Sequence, residues 1–107
     1  MKYVDWVQNT PTSRDETAGY RVIIKKQNLT LLEFIDDLLS TKMWGYIKLK
    51  DGKNPWTCTT LCEYKWGEII VPLLEEDRKK YGDMEIVSMD ASGGWSRFDW
   101  YLEFKEE

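Results

Sequence analysis

A chain of 107 residues, 42% hydrophobic and 32% charged, has the length of one domain and is too apolar to stay unfolded. It holds no histidine, which removes Ser-His and Cys-His nucleophiles and histidine-based zinc catalysis. Its 15 basic and 19 acidic residues leave a net charge of −4, which argues against nucleic acid as the main partner, because phosphate binding draws on an excess of Lys and Arg.

The opening Met1-Lys2-Tyr3-Val4-Asp5-Trp6 leads into no apolar stretch of the kind that directs secretion. The longest apolar run, Ile69-Ile70-Val71-Pro72-Leu73-Leu74, falls far short of the roughly 20 residues that cross a bilayer. The expectation is a soluble, cytoplasmic domain with no cofactor.

In chain order, residues 2–7 alternate weakly and predict a short strand, and residues 8–19 are polar and predict a loop. Residues 20–26, with Val22, Ile23 and Ile24, predict a strand. Thr30-Leu31-Leu32-Glu33 is a capping box, flanked by Leu29 and Phe34 at the two positions of a hydrophobic staple. Leu31, Phe34, Ile35, Leu38 and Leu39 then mark one face of a helix over residues 31–41.

Residues 43–50 alternate, the turn formers Asp51-Gly52-Lys53-Asn54-Pro55 follow, and residues 56–66 are strand-like, which predicts a hairpin. Pro72 suits the first turn of a second helix, supported by Glu75–Lys79 and Glu76–Lys80 pairs and closed at Gly82 in a left-handed conformation. Residues 84–89 and 95–104 predict two last strands, joined by a loop at Asp90-Ala91-Ser92-Gly93-Gly94. The order describes a single α+β domain over residues 1–107, a mostly antiparallel sheet with two helices on one face, compatible with a ferredoxin-like arrangement.

Cys58 and Cys62 share one face of their strand about 13 Å apart, too far to bridge each other. The catalytic chemistry left is that of carboxylates. Asp51, Glu63 and Lys65 resemble the Asp…Glu-x-Lys pattern of Mg-dependent nucleases. That resemblance implies Asp51 and Glu63 as metal ligands and Lys65 as the residue assisting a water; Glu33 on the first helix is available as a further ligand. The same spacing recurs at Asp90, Glu103 and Lys105, as chance allows in a chain one-third charged. An RNA-binding sheet would stack bases on exposed rings, but only Trp44-Gly45-Tyr46-Ile47 is similar to its strand motif.

Six tryptophans and six tyrosines are the feature most in need of a reason. Phe98, Trp100, Leu102 and Phe104 alternate on the inward face of the last strand, leaving Trp95, Arg97, Asp99, Tyr101 and Glu103 on the other. Trp, Tyr and Arg among charges are the residue types enriched at protein-binding hot spots. Trp95, Arg97 and Tyr101 are therefore the candidate contact residues for a larger protein partner, with Asp36 and Asp37 as an acidic rim.

Leu29-Thr30-Leu31-Leu32-Glu33-Phe34-Ile35 and Gly82-Asp83-Met84-Glu85-Ile86-Val87 resemble segments of small phage- and prophage-encoded proteins. The resemblance covers about a quarter of the chain and implies a protein that binds a host enzyme, such as an anti-CRISPR inhibitor of bacterial defence. The residues thus favour a non-enzymatic protein-binding module, with the Asp51, Glu63, Lys65 nuclease as the alternative.

Overall fold

Thr30 closes the capping box as expected: its hydroxyl accepts from the Glu33 amide at 3.3 Å, and the Glu33 carboxylate accepts from the Thr30 amide at 3.1 Å. In this computed structural model, which describes residues 1–8, 18–50, 59–93 and 97–105, that cap starts α1, Leu31–Leu39. Leu31, Phe34, Ile35 and Leu38 are buried, as are the staple residue Leu29 and, unexpectedly, Asp37. The helix stops two residues short of Thr41, because the Ser40 and Thr41 hydroxyls turn back onto the carbonyls of Asp37 and Leu38.

Seven strands form one sheet: β1 Val4–Gln8, β2 Ala18–Ile24, β3 Trp44–Leu49, β4 Thr59–Lys65, β5 Glu68–Val71, β6 Ile86–Gly93 and β7 Phe98–Phe104. Their order is β1-β2-β6-β7-β3-β4-β5. Every described pair is antiparallel except β3–β7, where Ile47 faces Trp100 and Leu49 faces Leu102. The architecture is an α+β fold with a mostly antiparallel sheet. The ferredoxin-like order is not confirmed: β2 and β3, which flank α1, are separated by both β6 and β7.

α1 lies on the face of the sheet that carries Trp100, against which the Phe34 ring packs edge-on at 5.4 Å. The shorter α2, Glu75–Tyr81, reaches the same face through Tyr81, stacked on Phe104 at 5.1 Å. α2 begins at Glu75, three residues after Pro72, with Leu74 at the N-cap and no side-chain cap. Of its two expected ion pairs, Glu75–Lys79 forms at 3.5 Å between exposed side chains, where such pairs add little. Gly82 is helical (φ −54°), not left-handed.

Two strand boundaries correct the sequence reading. Residues 90–93 belong to β6, whose inward positions Met89, Ala91 and Gly93 keep the two-residue alternation going. Ala91 and Gly93 lie opposite Trp100 and Phe98, so small residues make room for large rings. Trp6 and Tyr20 pack into that same group, 5.9 Å from the Trp100 ring and 5.1 Å from the Phe98 ring respectively. β5 is the second correction. Trp66 and Gly67, with φ of 52° and 87°, form a two-residue turn that folds the chain back onto β4. The turn expected over residues 51–55 lies outside the described residues.

Candidate functional site

With α1 and α2 on one face, the opposite face of the sheet carries no helix among the described residues. Successive strand residues point to opposite faces, so Trp44, Tyr46 and Lys48 of β3 project there, as do Glu63 and Lys65 of β4 and Asp99, Tyr101 and Glu103 of β7. Gly45 allows β3 to lie close to β7: a Cβ at this position would stand 1.6 Å from the Phe98 carbonyl oxygen.

Asp99 is the centre of this face. It is only 7% exposed, and its carboxylate accepts from the Tyr46 amide at 3.1 Å and from Arg97 Nε and Nη2, each at 3.1 Å. Lys48 adds an ion pair at 3.5 Å. The fork of two parallel N–H bonds fixes the plane of the Arg97 guanidinium. It lies 4.7 Å from the Tyr46 ring centre and 5.8 Å from that of Trp44. Lys48 sits 5.4 Å from the Tyr101 ring and 5.7 Å from that of Tyr46. Donating to the Asp99 carboxylate raises the Arg97 pKa further, so the guanidinium is a permanent cation.

Around this centre the charges are matched locally. The Trp44 indole donates to Glu63 at 3.2 Å, Lys50 pairs with Asp90 at 2.6 Å, and Ser88 donates to Glu103 at 3.2 Å. Lys65 stands over Trp66 at 4.4 Å. The result is a fixed patch of half-exposed rings interleaved with ion pairs.

The structure brings together Arg97 and Tyr101 of the candidate residues, the first exposed and the second half-buried with its hydroxyl against Ser92 at 3.1 Å. Trp95 lies outside the described residues. Asp36 is exposed on α1, on the other side of the sheet, so it does not rim this patch. Asp37 is not at a rim at all. It is 5% exposed, and its carboxylate accepts from the amides of Lys2 at 2.7 Å and Tyr3 at 2.9 Å, tying the start of the chain to α1.

Of the nuclease triad, Asp51 lies outside the described residues. Glu63 and Lys65 share the open face, with Glu63 held by Trp44 and Lys65 laid on Trp66. Glu33 is held by its cap and by Lys26 at 2.8 Å; hydrogen bonding from Lys26 keeps its carboxyl below the usual carboxylate range. Among the described residues no three Asp, Glu or Cys side chains group as metal ligands. Cys62 is buried, and burial pushes its thiol up to about 12, the opposite of a reactive or metal-binding thiolate. Cys58 lies outside the described residues.

Sequence reasoning named Trp44 and Tyr46 only for their likeness to an RNA-binding strand and missed Lys48 and the central role of Asp99. The two-residue spacing of Tyr46 and Lys48 could have placed them on one strand face, but their meeting with Asp99 depends on the β3–β7 pairing. Comparison with protein-family models, curated proteins and solved structures finds no match to this chain. No helix among the described residues is long and apolar enough to cross a membrane.

Proposed function

We propose that the chain is a non-enzymatic protein-binding module that meets its partner with the open face of the sheet. The observation that carries this reading is the Arg97–Asp99 fork under Tyr46 and Trp44, with Tyr101 and Lys48 beside it. Aromatic rings and arginine held in one geometry before binding are what a protein hot spot requires, since little side-chain freedom is then lost on association.

The same pairing weakens a nucleic-acid reading of the face. Lys48 and Arg97 face Asp99, and Lys50 faces Asp90, so these cations are already matched by carboxylates of the chain. A module of this kind serves as an inhibitor or an adaptor. The inhibitor role is the one implied by the resemblance to phage-encoded proteins that bind host enzymes.

The test is a pair of variants, Tyr46→Ala with Tyr101→Ala, and Arg97→Lys, compared with the wild type for capture of a protein partner and for thermal melting. Loss of the partner by variants that still melt cooperatively, within several degrees of the wild type, is the expected result. Undiminished capture by both would remove the open face from the function.

A further inference from the structure

The second helix leaves a space that its own side chains do not fill. Every residue of α2 from Glu75 to Lys80 is charged, and none of the helix's side chains is buried. It is held at its far end, where Tyr81 stacks on Phe104 and the Gly82 carbonyl accepts from the Leu32 amide at 3.4 Å. Between α1, β5 and α2 lies a cleft of about 380 Å³. That volume falls within the roughly 300–1,000 Å³ of small-molecule sites.

The lining of the cleft is apolar apart from two charged side chains. Ile35, Cys62 and Leu73 are buried beneath it, and Leu39 and Ile69 stand half-buried beside it. The two charges reach it from different helices, Asp36 from α1 and Arg78 from α2. Among the described residues they do not pair with each other, and neither forms an ion pair elsewhere. The charges nearby are engaged or point away. Glu33 pairs with Lys26, Glu75 with Lys79, and Asp37 holds the amides of Lys2 and Tyr3. Glu68, Glu76, Asp77 and Lys80 do not line the cleft.

We propose that this cleft binds a free amino acid with a large apolar side chain. The apolar lining takes the side chain, whose removal from water supplies the driving force. Asp36 accepts from the ammonium group, and the Arg78 guanidinium donates to the carboxylate. One carboxylate and one guanidinium on a single apolar cleft match a zwitterion, and an amine or an acid alone serves only one of them. A side chain of a partner protein is a poorer occupant. Within a chain the amino and carboxyl groups are neutral amides, which leaves Asp36 and Arg78 without their ions. The cleft lies on the helix side of the sheet, shares no residue with the Asp99 patch and does not depend on it.

The experiment is an NMR titration of the intact chain with phenylalanine, beside phenethylamine, hydrocinnamate and N-acetylphenylalanine amide. The expected result is saturable shifts of the Leu39, Ile69 and Leu73 amides at millimolar phenylalanine, with each of the other three compounds bound at least threefold more weakly. Asp36→Asn should weaken phenylalanine at least threefold and leave hydrocinnamate unchanged. Arg78→Gln should weaken phenylalanine at least threefold and leave phenethylamine unchanged. Both side chains are exposed, so both variants should melt as the wild type does. No saturable shift in the cleft, equal binding of the amine or the acid, or undiminished binding by both variants would each overturn the inference. So would equal binding of N-acetylphenylalanine amide, since the cleft would then suit a side chain of a partner protein.

Discussion

Trp100 Nε1 donates to Tyr64 Oη at 2.9 Å, and Tyr64 Oη donates to the Phe98 carbonyl at 3.0 Å, although both rings are fully buried. The bond joins β7 to β4 across β3. It passes over Gly45, which pairs with Tyr64 and has no side chain to stand in the way. The two largest buried side chains thus satisfy each other's polar atoms, as buried Tyr and Trp must.

Tyr64→Phe should therefore cost about 1–3 kcal/mol, because it leaves the buried Trp100 N–H without an acceptor. Trp100→Ala should cost about 3–5 kcal/mol, since the ring packs on Phe34, Phe98 and Trp6. Urea unfolding of the two variants measures both, and a smaller loss for Trp100→Ala than for Tyr64→Phe would contradict this account of the core.

Gly45→Ala should destabilise by at least about 1–3 kcal/mol, because the new Cβ overlaps the Phe98 carbonyl and pushes β3 from β7. Circular dichroism melts report the loss. A variant as stable as the wild type would show that the β3–β7 approach is looser than described.

Alkaline pH should weaken the fold. Burial raises Cys62 from 9.0 to about 12 and raises Tyr64 above its ordinary value. Both therefore stay protonated in the folded chain while the unfolded chain ionises. Their contribution is full below pH 9 and is lost progressively as pH rises from about 9 through the folded value of about 12. Denaturant midpoints between pH 7 and 11 should fall, and fall less in Cys62→Ala. In the native state at pH 8 the Cys62 thiol should resist a thiol-reactive dye until the chain unfolds.

Asp37→Asn should cost about 1.5–3 kcal/mol without affecting a partner at the open face, because the carboxylate accepts two backbone amides and an amide group has only one acceptor oxygen. Thermal melting beside a binding measurement separates the two effects. Lost binding with retained stability would return Asp37 to the role of a contact residue.

Much of this fold can be read from local chemistry. The capping box at Thr30, the apolar spacing of α1 and the alternation of Phe98, Trp100, Leu102 and Phe104 are short-range patterns, and each forms the element it implies. The sequence reading failed where a residue's meaning depends on a distant neighbour. Asp90-Ala91-Ser92-Gly93 has the composition of a turn, yet it continues β6 because Trp100 and Phe98 require small residues opposite them. Trp66-Gly67 lacks the usual Asn or Asp of a tight turn, so β5 went unrecognised. For the site, period-two spacing placed Arg97 and Tyr101 on the outer face. That Asp99 is buried between Arg97, Lys48 and the Tyr46 amide follows from the parallel β3–β7 pairing, which no local pattern announces.

The most direct test of a protein-binding open face is quantitative capture from a lysate of the native host, after nuclease treatment and in high salt, with the wild type beside the Tyr46→Ala, Tyr101→Ala double variant. The account predicts one protein recovered in stoichiometric amount by the wild type and lost by the variant, with the variant still folded. Recovery of the same protein by both chains, or of nucleic acid alone when nuclease is omitted, would contradict it.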